Sequence, residues 1–338
     1  MGPKGAEQTE QKWQFKPVVT YGPDGKEVDP CRQFDAEHPS WMDRSRVGLY
    51  RTVCGTAAWF DGFFGDSRFD EKTGDTYGRI SLGGFYDRRD KFDQSIRLRA
   101  NFAFPAMRER GSVFIAQGDE DSFIEERGRE SQDQGPEALN SSSDNELFAG
   151  VGFDKSRSLE RGLSFRLGAR LRTPIETFVK ARYRYAWQLS ENYLFRVRPV
   201  LYWRSEERIG STLGLELDHN LSDALLLRWS NFGNVSQDPE INGMRWGSTL
   251  ALFQALSERR AMTYSAFVRG ETEDAVKLQN YGLEVKIRRR FMRDWLFVEY
   301  VGSLSWPKEL PAEKRELNPG FGIRLEAHFG PTPDHKLR

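Results

Sequence analysis

The chain has 338 residues with 50 basic and 50 acidic side chains, hence no formal net charge, and it is rich in Phe (24) and Gly (31). The neutral balance gives no basis for a general affinity for nucleic acid. No stretch approaches the roughly eighteen apolar residues of a membrane-crossing helix; the nearest, Val53 to Phe64, is broken by Gly55, Asp61 and Gly62.

The chain opens Met1-Gly-Pro-Lys-Gly-Ala, with no apolar core of a secretory signal, and the expectation is a mature form carrying an added Met. The polar run Gln8 to Thr20 is a candidate surface for a periplasmic protein partner. Cys31 and Cys54 are the two cysteines, compatible with one disulfide in an oxidising compartment or with two buried thiols. Pro39-Ser40-Trp41 begins a predicted helix running to about Phe60, with Trp41, Val47, Tyr50, Val53, Cys54, Ala57 and Phe60 roughly on one face. An acidic, Gly-rich link, Asp61 to Asp75, follows. Residues 1–75 thus read as a small, partly helical N-terminal cap, plug or linker.

From Thr76 to Phe329 the polarity alternates in about fourteen segments, with an uncertainty of about two either way. They begin near Tyr77, Lys91, Ser112, Glu146, Gly162, Phe178, Tyr193, Arg208, Ala224, Met244, Met262, Leu278, Trp295 and Gly320. The clearest is Leu163, Phe165, Leu167, Ala169 and Leu171 interleaved with Ser164, Arg166, Gly168, Arg170 and Arg172. Successive strand residues point to opposite faces, so one face here is apolar and the other cationic. In a soluble sheet the apolar faces would pack as a core, with the charges in water. Segments of about nine to thirteen residues exceed the soluble average of about five to six and match a tilted membrane strand. Trp187, Trp203, Trp229, Trp246, Trp295 and Trp306 sit near segment ends, as interfacial aromatic girdles do. The fold expected is all-β, an antiparallel transmembrane barrel.

The connections give an independent test. Those after even-numbered segments are short: Pro105 to Gly111, Lys155 to Arg161, Ser190 to Asn192, His219 to Asp223, Ser257 to Ala261 and Arg289 to Asp294. Those after odd-numbered segments include the longest: Asp119 to Asn145, Gly233 to Gly243 and Pro307 to Pro319. Short periplasmic turns and longer outer loops give an even strand count and a periplasmic N-terminus. The last segment, Phe321, Ile323, Leu325, Ala327 and Phe329 alternating with Arg324, Glu326 and His328, resembles the terminal strand of bacterial outer-membrane β-barrels, which closes on an aromatic residue and serves as an assembly signal. Here residues 330–338 continue beyond it as a tail. The resemblance is architectural and implies an outer-membrane location with lipid around the barrel.

Inside such a barrel, three neighbouring strands would bring Arg166, Arg170, Arg172, Lys180, Arg182, Arg184, Arg196 and Arg198 onto one wall, extended by Arg97 and Arg99. Acidic inward positions fall elsewhere, at Glu216, Asp218, Glu271, Glu284, Glu299 and Glu326, with Arg324 beside the last. A cationic wall facing acidic groups makes a transverse field that favours small anionic or polar solutes. The same residues also suit a salt-bridge network that fills and stiffens the barrel, or a wall against which Asp61, Asp66, Asp70, Glu71 and Asp75 dock as a plug. The expected function is a porin-like channel; the alternatives are a non-conducting barrel that anchors an envelope complex and, more weakly, a lipid-modifying enzyme. Histidine is scarce, at His38, His219, His328 and His335, and Asp218-His219 near Ser222 reads as structural. No metal or nucleotide motif occurs, so no cofactor is expected. Asp119, Glu120, Asp121, Glu125 and Glu126 read as a solvated acidic loop, and the connection they begin is either a constriction inside the barrel or a mobile cover over its mouth.

Overall fold

Each alternating segment forms a strand, because alternation gives one face fit for lipid and one fit for a hydrated interior. The computed structural model describes residues 20–21, 27–28, 60, 63, 77–103, 111–118, 121–126, 146–156, 161–171, 173–205, 208–237, 243–293 and 295–329. Residues Thr20–Tyr21 and Glu27–Val28 form a short antiparallel ladder. The barrel strands are β1 (Tyr77–Asp87), β2 (Lys91–Ala103), β3 (Gly111–Gly118), β4 (Glu146–Ser156), β5 (Arg161–Arg170), β6 (Glu176–Ser190) and β7 (Tyr193–Arg204). They continue as β8 (Arg208–Ser222), β9 (Leu225–Ser236), β10 (Met244–Ser257), β11 (Arg260–Glu271), β12 (Leu278–Arg290), β13 (Leu296–Ser305) and β14 (Asn318–Phe329).

Every strand pairs antiparallel with its neighbours in sequence, and β14 pairs with β1 to close the ring, with Phe321 opposite Tyr86 and Glu326 opposite Ser81. Closure leaves no free edge, so every strand finds backbone partners on both sides without water. No helix among the described residues is long and apolar enough to cross a membrane. The predicted helix up to Phe60 lies outside the described residues except for Phe60 itself; Cys31, Cys54, the link 64–75 and Arg172 lie outside them as well.

Burial alternates residue by residue. On β12 the outward Leu283 is 53% exposed while Glu284 is 2% exposed. On β9 Trp229 is 50% exposed and Arg228 only 1%. This inversion, apolar side chains outside and charges inside, is the architecture of a bacterial outer-membrane β-barrel. Outward aromatics mark both rims. Tyr86, Phe92, Trp203 and Phe321 ring one end, and Trp187, Tyr193, Trp229 and Trp295 the other.

The ends differ in their connections. At one end run 104–110, 157–160, 191–192, 223–224, 258–259 and 291–295; at the other, 88–90, 119–145, 171–175, 205–207, 237–243, 272–277 and 306–317. These are called the short-turn and long-loop ends. Most of the connections are shorter than read from sequence, two of the three long ones among them. Gly233 stays in register opposite Trp246, so β9 runs on to Ser236, and Pro319 pairs opposite Leu304 within β14. At the long-loop end Arg89 ties the first hairpin to the last loop, bridging to Glu309 (3.0 Å) and Glu313 (3.3 Å). Glu313 Oε2 accepts hydrogen bonds from the backbone N–H of Glu309 and Leu310, which holds its carboxyl below the usual carboxylate range.

Leu283 stands mid-strand on the outer face, opposite Ala266 and Leu304. Leu283→Arg is therefore expected to destabilise the folded barrel by roughly 2–4 kcal/mol in lipid vesicles, read from the urea unfolding midpoint. An unchanged midpoint would mean that this face does not meet hydrocarbon.

Candidate functional site

The lumen is narrowed near the long-loop end by a segment of the β3–β4 connection, Asp121–Glu125 with Glu126, which turns back inside the barrel. Its sequence explains the position. Phe123 and Ile124 need an apolar seat, and the wall at that level offers Phe114, Phe148 and Phe178. Phe123 stacks on Phe148 with ring centroids 5.0 Å apart and meets Phe178 edge-on at 6.0 Å. Phe178 lies flat because Gly168 is beneath it; a Cβ on Gly168 would stand 2.7 Å from that ring.

The acidic residues after Phe123 match cations on the same wall. Lys180 Nζ donates to the Phe123 carbonyl at 2.6 Å and to Glu126 Oε1 at 2.8 Å, and Arg182 Nη1 donates to the same oxygen at 3.1 Å. Arg204 donates to Glu125, and Thr212 Oγ1 donates to the Glu125 carbonyl at 2.6 Å. All of these groups are buried. Glu126 turns through φ 55°, a left-handed conformation that a non-glycine residue keeps only when its surroundings hold it. Glu125 and Glu126 are thus not a solvated loop, as read from sequence. They are counter-charges for the basic wall.

A second ion-pair ladder runs along neighbouring strands. Arg196 bonds to both Glu216 (2.7 Å) and Asp218, and Arg198 reaches Glu216 at 3.5 Å. Arg228 Nε donates to Asp218 Oδ1 at 2.6 Å. Arg170 bridges Glu146 at 2.7 Å and also Glu176. Across the closure seam, Glu299 collects Lys286 (3.8 Å), Arg288 (3.4 Å) and Arg324 (3.4 Å), while Glu326 takes Arg288, His328 (2.6 Å) and Arg79 of β1 (3.7 Å). Glu284 stands 4.0 Å from Lys286. Opposite charges therefore sit side by side on adjacent strands, and a separation into one basic and one acidic wall describes only part of the interior.

The short-turn end carries a second insertion, on the opposite wall. Phe60 and Phe63 are fully buried among Leu226, Ala251, Phe253, Ala261 and Phe297 of β9, β10, β11 and β13. Phe60 lies 5.5 Å from the Phe253 ring, Phe63 meets Phe297 edge-on at 5.9 Å, and Arg290 stands 5.9 Å over Phe63. This contact is aromatic and faces away from the β5–β7 wall. The acidic residues expected to dock there, Asp61, Asp66, Asp70, Glu71 and Asp75, lie outside the described residues.

Of the residues singled out from sequence, Arg170, Lys180, Arg182, Arg196, Glu216, Asp218, Glu284, Glu299, Arg324 and Glu326 point inward and are buried. Arg97, Arg99, Arg166, Arg184 and Arg198 also point inward but keep partial exposure. Arg204, Arg228 and Arg288 are buried beside them, each at an inward parity position that the alternation of its strand identifies. Asp218 and His219 face opposite sides of β8: Asp218 is buried on the Arg pair, and His219 stacks outside on Tyr193 at 4.1 Å. They cannot share a proton with Ser222 as a catalytic group. Among the described residues no cluster of His, Cys, Asp and Glu suits a metal ion.

No family model and no curated protein matches the chain. Solved structures that resemble it are outer-membrane barrels. The KdgM porin aligns over 74% of this chain and 99% of its own at 7% identity, with a TM-score of 0.36. The outer membrane channel DcaP of Acinetobacter baumannii aligns over 75% and 96% at 8% identity and 0.44, and the CymD monoaromatic hydrocarbon channel over 82% and 93% at 8% and 0.44. At these identities and scores the likeness reaches no further than the barrel fold.

Proposed function

We propose that the protein is a porin-like channel of the bacterial outer membrane that passes small anionic or polar solutes, with its short turns and N-terminus on the periplasmic side. The observation that carries this reading is the division of the inward arginines into two groups. Arg182, Arg196 and Arg204 are closed in with their carboxylates, whereas Arg97, Arg99, Arg166, Arg184 and Arg198, whatever their partners, keep contact with solvent. The second group lies on the β2–β7 wall, on the side that the Phe60 and Phe63 insertion leaves uncovered. A solute that passes the Asp121–Glu126 constriction along the far wall would then cross to these arginines, whose field attracts anions. The Phe60 and Phe63 insertion makes the N-terminal segment a partial plug of the periplasmic mouth in this reading.

Reversal potential in a planar bilayer tests the field. Arg166→Gln with Arg184→Gln is expected to lower the anion-over-cation permeability ratio by about twofold or more with the barrel intact; an unchanged ratio sinks the arginine wall as the selectivity element. Arg182 and Arg196 are poor choices for this purpose, because removing a buried ion-pair partner costs roughly 3–5 kcal/mol and tests stability instead.

Glu125→Gln with Glu126→Gln leaves the wall cations without their carboxylates, so the segment should leave its seat. Single-channel conductance should rise and anion preference sharpen, while heat-modifiable migration on gels stays that of a folded barrel. A conductance equal to the parent's would show that the segment does not limit the pore.

Comparing the full chain with one starting at Gly74 tests the plug. Higher conductance after truncation is the expected result. Silence of both, with insertion verified, would replace the channel by a non-conducting barrel.

A further inference from the structure

Among the described residues the outer face carries a charged pair that the ion-pair network does not absorb. Arg260 of β11 and Arg289 of β12 are Cα partners in the ladder, and both point outward, since their neighbours Ala261 and Arg288 are fully buried inside. Like charges directly opposite on adjacent strands repel. Elsewhere the barrel supplies an anion to such pairs. Arg166 faces Lys180, which holds Glu126, and Arg79 faces Arg99, with Glu326 reaching Arg79. Among the described residues Arg260 and Arg289 have no carboxylate, and Glu258 in the adjoining turn makes no ion pair either. The only partner Arg289 shows is the Phe291 ring at 5.5 Å.

The surroundings fit a lipid. The pair stands at the short-turn rim, beside the exposed Phe291 and Trp295 and the exposed turn residues Arg259 and Arg293. Toward the barrel middle the next outward pairs are Met262 opposite Ile287, Tyr264 opposite Val285, and Ala266 opposite Leu283. Ala266 pairs with Leu250 on one side and Leu283 on the other, so the outer face above the arginines continues as an apolar strip. A phosphate at the rim would relieve the repulsion through charge-assisted hydrogen bonds, and acyl chains would lie along the apolar strip.

We propose that Arg260 and Arg289 hold the phosphate of an anionic phospholipid in the leaflet on the short-turn side, with its acyl chains along Met262, Tyr264, Val285 and Ile287. Two arginines on one phosphate, with Arg259 and Arg293 in the adjoining turns, favour an anionic lipid over a zwitterionic one. The proposal rests on the membrane reading given above and is independent of whether the lumen conducts.

The test is native mass spectrometry of the full chain extracted from vesicles of mixed phosphatidylglycerol and phosphatidylcholine, alongside Arg260→Gln with Arg289→Gln. Heat-modifiable migration verifies folding, and conductance measured on the same preparations reports separately on the channel reading. The parent should retain phosphatidylglycerol over phosphatidylcholine, and the double variant should lose that retention by roughly tenfold or more. Arg161→Gln, a change at another outward rim position, should leave it unaltered and so controls for general rim charge. Equal retention by parent and double variant overturns the proposal, as does equal retention of both lipids by the parent. Displacement of the lipid by millimolar inorganic phosphate would mean a free anion site, and preferential retention of lipopolysaccharide would put the pair in the other leaflet; either result overturns it.

Discussion

The structure depends on matching cations with carboxylates inside a closed ring of strands. A charge taken from water into a protein interior costs several kcal/mol unless an opposite charge and hydrogen bonds replace its hydration. A barrel of fourteen strands has enough inward positions for many charges, and the ladder register decides which of them meet. Arg196 faces Glu216 directly, and Arg324 faces Glu299. Where the register places two cations opposite each other, as at Arg166 and Lys180, the strands cannot solve the problem, and a loop does. The Asp121–Glu126 segment is in the lumen because the wall requires its carboxylates as much as Phe123 requires the aromatic seat.

Glycine makes room for that seat. Phe178 and Tyr202 are large inward side chains that would obstruct the interior if they stood upright. Each lies against the wall over a glycine on the adjacent strand, Gly168 and Gly210, where a Cβ would stand 2.7 Å and 2.3 Å from the ring. Flattened against the wall, Tyr202 accepts a hydrogen bond from Asn234 at 2.9 Å, and Phe178 becomes part of the surface that receives Phe123. The inserted elements thus occupy opposite walls at opposite ends: the constriction rests on β3–β8 near the long loops, and Phe60 with Phe63 rests on β9–β13 near the short turns.

Period-two alternation made the barrel legible from sequence, because the face a strand residue occupies depends only on parity. Each observed strand begins within two residues of its expected position, from Tyr77 to Asn318. The inward identity of Lys180 or Glu284 followed from the same rule. What parity cannot give is lateral distance: whether Arg196 meets a carboxylate next door or across the lumen depends on register. Nor does it reach the loops. Glu125 and Glu126 read as a solvated acidic run because composition alone does not disclose that Phe123 and Ile124 anchor the segment indoors. The apolar pair inside the acidic stretch was the available signal.

Burial also separates two roles that composition merges under the single word arginine. A guanidinium closed in by carboxylates, such as Arg228 on Asp218, is spent on holding strands together; its field is cancelled at short range. A guanidinium that keeps contact with solvent, such as Arg166 or Arg184, projects part of its field into the aqueous interior. The buried guanidiniums thus contribute to rigidity, while the half-buried ones leave part of their charge facing the aqueous interior. The two groups follow one another along β6, where Lys180 and Arg182 anchor the constriction and Arg184, one inward step further, keeps partial contact with solvent. One strand can both hold the narrowing in place and present the charge beyond it because each further inward step moves a side chain by about 7 Å toward the short-turn end, out of reach of the inserted segment.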